Sequence, residues 1–90
     1  MEKVIITVVG KDTVGIIAGV CVALADHGIN VLDISQTIVD GFFNMMMVVD
    51  IAASDIGFNE IQVKLNEVGE KKGMVITCQR SEIFESMHRV

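Results

Sequence analysis

Apolar and polar residues along this chain follow two different periods, and the switches between them mark its elements. Lys3 to Val9 is rich in Val and Ile on both faces, as a central strand would be. Gly10 ends that run. Asp12 or Thr13 then stands where a side-chain oxygen can cap the exposed N–H groups of a helix. The apolar run that follows predicts a helix from about Val14 to His27, with Gly28 just past its end at the left-handed position. Asn30 to Val39 predicts a second strand, with Leu32, Ile34 and Ile38 on one face and Asp33, Ser35 and Thr37 on the other. Asp40-Gly41 is a strong hairpin signal. Phe42 to Ile51 predicts the third strand, with Phe43, Met45, Met47, Val49 and Ile51 on its core face. Ser54 or Asp55 can open a second helix, in which Phe58, Ile61, Leu65 and Val68 form one apolar stripe. Gly73 stops that helix, and Met74 to Arg80 predicts a fourth strand. Ser81 to Arg89 predicts a short helix with Ile83, Phe84 and Met87 on one side.

The order is βαββαβ, without a linker, repeat or low-complexity segment, so residues 1–90 read as a single domain. Two βαβ halves sharing a hairpin make an α+β, ferredoxin-like two-layer sandwich. Right-handed crossovers place both helices on one face of an antiparallel sheet, with expected strand order 4-1-3-2. The first helix carries more apolar residues than one sheet can cover: Ile16, Ile17, Val20, Cys21, Val22 and Leu24. Phe42, Met46 and Val48 fall opposite the core face of the third strand. In Met45-Met46-Met47 alternate residues point to opposite faces, which suits core plus interface rather than one soft-metal cluster. Apolar excess of this kind on a small domain predicts a homodimer or a higher homo-oligomer.

Composition narrows the function classes. About half of the 90 residues, 51%, are hydrophobic, enough for a core without covalent staples. A net charge of −5 argues against partners bound through a basic face, whether nucleic acid or an anionic membrane. Cys21 and Cys78 form no CxxC pair and no zinc-type spacing with the two histidines. Cys21 lies in an apolar run, where a free cysteine behaves as a small buried hydrophobe. Reduced cysteines, together with the lack of a signal peptide or membrane-length apolar stretch, predict a cytoplasmic protein.

The turn Gly10-Lys11-Asp12-Thr13-Val14-Gly15-Ile16 holds the main chemistry. A helix N-terminus presents N–H groups and partial positive charge that suit a carboxylate or phosphate. Gly15, read as lying in the first helical turn, lets a ligand approach the backbone. Asp12 can meet an ammonium group. The pair suits a free amino acid, although every such turn needs a cap and often a glycine. Sharper motifs fail: Gly10 and Gly15 have P-loop separation, but Ile16 and Ile17 stand where Lys and Ser/Thr are needed. No nucleophile elbow is present, and the first strand lacks the aromatic rings of an RNA-binding sheet. His27 reads as a helix-terminal residue that covers carbonyls and complements the dipole. Nothing assembles into a catalytic set or a metal site, so the expectation is a non-enzyme without a cofactor.

The stretch Val8 to Ser35, VVGKDTVGIIAGVCVALADHGINVLDIS, with the hairpin Ile38 to Ile51, IVDGFFNMMMVVDI, resembles the ACT domain. This is the small-molecule-sensing module of amino-acid metabolism. The first turn is similar to the family's G-x-D-x-P-G-[IVL] string, and Gly28-Ile29-Asn30-Val31 matches its opening of strand two. The resemblance covers essentially the whole chain. It looks nearest to stand-alone bacterial and archaeal ACT proteins of unassigned role, and more distantly to the ACT modules of the glycine-cleavage repressor and formyltetrahydrofolate deformylase. It implies paired subunits with an amino-acid-like effector bound between them. It also implies a ligand site at Asp12, Val14, Gly15 and Ile16 of the turn together with Asn30. Val14 departs from the family, which often has proline there, a residue preorganised for the first helical position. The alternative reading is a ligand-free oligomerisation module, or one that docks an unidentified protein partner.

Overall fold

A computed structural model describes residues 1–11 and 15–81. The elements run β1 (Lys3–Lys11), α1 (Ile16–Asp26), β2 (Asn30–Val39), β3 (Phe42–Asp50), α2 (Phe58–Lys72) and β4 (Met74–Arg80). All three strand pairings are antiparallel, in sheet order β2-β3-β1-β4, which is the expected 4-1-3-2 read from the other edge. Val4, Ile6 and Val8 of β1 and Phe43, Met45, Met47 and Val49 of β3 are buried on the helix side. Ile16, Val20 and Leu24 of α1 and Ile61 and Leu65 of α2 close over them. Removing each such side chain from water stabilises the fold by about 1.5–3 kcal/mol. The α2 stripe is as expected, with Phe58 and Val68 at its partly covered margin.

Four boundaries differ from the pattern reading. Gly10 does not end β1: Gly10 and Lys11 still pair with Phe43 and Phe42. Glycine is required there by packing, because a Cβ would lie 2.6 Å from Met74 Sδ and 2.9 Å from the Gly73 carbonyl oxygen. Helix α1 begins at Ile16 rather than Val14, so Gly15 is its N-cap and not a residue of its first turn. Helix α2 begins after Gly57, and neither Ser54 nor Asp55 caps it. Ser54 instead accepts the Ile56 N–H at 3.2 Å, forming a separate turn upstream. Finally, a β-bulge in β2 between Val31 and Asp33 leaves Leu32 opposite no residue of β3. Beyond it Ile34, Gln36 and Ile38 share the helix side with Val31, opposite Met47, Met45, Phe43 and Val49, while Asp33, Ser35, Thr37 and Val39 lie on the open side.

The hairpin is as read. Asp40 and Gly41 have φ of 51° and 78°, both left-handed as a type I′ turn requires. The expected caps Asp12 and Thr13 and the expected C-terminal helix from 82 onward lie outside the described residues.

Candidate functional site

Lys11 and Gly15 are the described residues that flank the β1–α1 connection. β1 carries the chain to Lys11 at the end of the sheet, and α1 returns from Gly15. Gly15 has φ 84°, a conformation that costs a residue with a Cβ about 1–2 kcal/mol. Its carbonyl accepts the Gly19 N–H at 2.9 Å, closing the first helical turn. Among the described residues no side-chain cap bonds this helix start, and no acidic residue stands in its first turn. Lys72, at the C-terminal end of α2, places its Nζ 3.5 Å from where a Gly15 Cβ would be. Lys72 and the N-terminus of α1 therefore stand near each other at this end of the molecule. Lys72 was not singled out from the pattern; its only sequence signal is the Lys71-Lys72 pair before Gly73.

Of the residues implied by the resemblance, Gly15 is exposed, but the Ile16 side chain is 2% exposed and belongs to the core. Ile16 can serve only through its backbone. Asp12 and Val14 lie outside the described residues. Asn30 is exposed, yet it stands at the other end of the sheet: it pairs with Asp50, which pairs with Lys3 at the start of β1. The eight residue steps from Lys3 to Lys11 span about 26 Å. One subunit therefore does not bring the turn and Asn30 together.

The Asn30 end is built firmly. Asp50 Oδ1 accepts the Glu2 and Ala52 N–H groups, each at 3.0 Å. The Ala52 bond, then the Glu2 bond, hold its carboxyl below the usual carboxylate value. The His27 imidazole reaches across to Asp55, Nδ1 to Oδ1 at 2.9 Å, and the Asp55 N–H donates to the His27 carbonyl at 3.2 Å. His27 thus ties α1 to the following loop with its side chain, while its backbone N–H, donating to Leu24 at 3.2 Å, meets the helix carbonyls. Both cysteines are free, and burial pushes the Cys78 thiol up to about 11, so Cys78 is a core residue and not a thiolate at neutral pH.

The open side of the sheet is the second candidate surface. Thr7, Val9, Ser35, Thr37, Asn44 and Met46 line a shallow concavity of about 200 Å³ there. Phe42 and Val75 are exposed beside it. Among the described residues no group of three or more His, Cys, Asp or Glu is placed to hold a metal. No helix among them is long and apolar enough to cross a membrane.

Residues 2–79 match the ACT-domain family. A UPF0237 protein of Bifidobacterium longum is 59% identical over 90 residues, spanning all of both chains. An ACT domain protein from Streptococcus pneumoniae is 41% identical, with TM-score 0.80 over 97% of this chain and 98% of that one. The ligand-free regulatory subunit of aspartate kinase from Thermus thermophilus is 28% identical, with TM-score 0.67 over 87% of this chain and 50% of that one.

Proposed function

This chain belongs to the ACT-domain family of regulatory modules, and from that premise we propose that it senses a small amino-acid-like effector bound between two copies of itself. The observation that carries the reading is the separation of Gly15 and Asn30 at opposite ends of one sheet. A ligand that uses both needs a second subunit running the other way. The start of α1, with Gly15 and the Ile16 N–H, suits the effector's carboxylate, and Asp12 and Val14 complete the site. Asp12 meets its ammonium, and Asn30 of the other copy supplies a neutral donor and acceptor. Binding at such a site favours the assembled state by linkage. The chain acts on partners through assembly and carries out no reaction itself.

Mixing variants tests this. Thermal shift against the common amino acids identifies the effector, since a ligand at a hundredfold excess over its Kd stabilises the folded state by about 2.7 kcal/mol. Gly15→Asp and Asn30→Ala each abolish the shift alone. After unfolding and joint refolding, a mixed dimer regains one intact site of two, and a partial shift returns. A site confined to one subunit gives no such recovery and sinks the reading. The exposed open side, with Phe42, Met46 and Val75, favours a second reading as a ligand-free association module. No shift with any amino acid selects that reading.

A further inference from the structure

The open side of the sheet is not evenly exposed. Toward the Gly10 end, Val9, Phe42, Met46 and Val75 all stand out into solvent. At the other end Ile5 points to the same side, since Val4 and Ile6 on either side of it face the helices. It lies between Val48 of β3 and Gln79 of β4. Cross-strand neighbours stand beside a side chain, about 5 Å away, and not over it. A bare sheet face therefore leaves an apolar side chain wet, as it leaves Val9, flanked in the same way on the same face of β1, 46% exposed. Ile5 is only 6% exposed, and Thr7, Val48 and Gln79 around it are half-buried. The helix side does not account for this, because Ile5 is not part of the cluster that Val4, Ile6 and Val8 form with α1 and α2.

We propose that the Ile5 end of this face is a docking surface and that its occupant is the chain's own C-terminal segment, residues 82–90. The proposal is independent of the sensing function. Connectivity brings the segment to the patch: Gln79 pairs with Ile5, Arg80 with Val4, and Ser81 follows, half-buried. Its pattern suits the task. On a helix, Ile83, Phe84, Met87 and Val90 share one side, and Glu82, Glu85 and Arg89 share the other. Its length also fits. Two strand spacings, from β4 across β1 to β3, are about 10 Å. Nine helical residues span about 13 Å, enough to pass over Ile5 and reach Val48. They stop short of Val75, five residues back along β4 and about 17 Å away, which is 69% exposed. The open side is thereby divided. The chain's own end takes the Ile5 half, and the half with Val9, Phe42, Met46 and Val75 is what it offers to any partner.

The chain has no tryptophan and no tyrosine, so Phe84→Trp gives the full-length protein a single reporter. Its emission is expected to be blue-shifted and resistant to acrylamide, and to stay so on dilution through any self-association. Glu85→Trp, on the opposite side of the helix, is expected to emit as a solvated tryptophan. On the Phe84→Trp background, Ile5→Lys moves the emission to the solvated value, while Val75→Lys, at the far end of the face, leaves it unchanged. Circular dichroism checks that each variant is folded. Should Ile5→Lys not fold, Val48→Lys, at the half-buried rim of the patch, takes its place. Solvated emission from Phe84→Trp alone overturns the proposal. So does equal emission from Glu85→Trp, since the segment then shows no preferred side. Blue emission that survives Ile5→Lys or Val48→Lys puts the segment elsewhere, and blue emission lost on dilution makes the occupant the segment of a second copy. Either result also overturns it.

Discussion

Gln62 and Cys78 are joined across the α2–β4 boundary: the Cys78 N–H donates to Gln62 Oε1 at 2.8 Å, and Gln62 Nε2 returns a bond to the Ile76 carbonyl at 3.0 Å. One side chain therefore satisfies two half-buried backbone groups. Gln62→Ala leaves both without their partner, which costs about 1–3 kcal/mol. For a domain of this size each kcal/mol lowers Tm by about 4–8 °C. A drop of several degrees is expected by calorimetry, with species larger than the wild-type assembly in gel filtration as the β4 edge opens. A variant with unchanged Tm and unchanged mass shows that the amide does not seal the edge.

Asp50 ties the chain start to the end of β3, and its ionised form is the one that the Ala52 and Glu2 N–H groups favour. Its pKa is lower in the folded state than in the unfolded chain. The stabilisation is therefore present above the ordinary carboxylate value, 3.8, and is lost as pH falls through the lower folded value. Asp50→Ala should melt below the wild type at pH 7, with the gap closing in strongly acidic solution. Equal differences at pH 7 and pH 2 contradict this account.

Gly69 lies on the α2 face that meets β4, and a Cβ there would come within 2.6 Å of the Met74 carbonyl oxygen. Backbone cannot yield as a side chain can, so Gly69→Ala forces helix and strand apart. Overpacking of this kind costs about 1–3 kcal/mol. Chemical denaturation should show a lower midpoint with little change in slope. A variant as stable as the wild type means that the helix shifts without penalty.

The same glycine shows where pattern reading stops. The α2 stripe was legible because Phe58, Ile61, Leu65 and Val68 are apolar, but Gly69, also buried on that face, has no side chain to register in a hydrophobic period. The strands, the hairpin and the sheet order were legible because alternation and Asp40-Gly41 are local signals. Gly10 was misread as a strand end because its role, admitting Met74 and Gly73, depends on β4, more than sixty residues away. The bulge at Leu32 and the Gln62 amide likewise depend on partners that only the folded sheet supplies. Of the site, the turn and Asn30 were marked by residue type. Their placement at opposite ends of the subunit follows from the parallel run of β1 and β2 on either side of β3, which no local window contains.

Gly15 is the point at which the fold and the proposed ligand site would make the same demand. Its φ of 84° caps α1, and among the described residues an added Cβ would meet only the flexible Lys72 Nζ, at 3.5 Å. The cost of Gly15→Ala is therefore conformational rather than steric, about 1–2 kcal/mol, reduced in part by the stiffer unfolded chain. Asparagine tolerates the left-handed region better, so Gly15→Asn should lose less. Melting temperatures are expected in the order wild type, Gly15→Asn, Gly15→Ala. Side-chain bulk over the helix start follows a different order, with asparagine the larger, so the effector-induced rise in Tm should be smaller for Gly15→Asn than for Gly15→Ala. If the two variants rank identically in stability and in ligand response, the glycine serves the turn alone and the effector does not approach the backbone there.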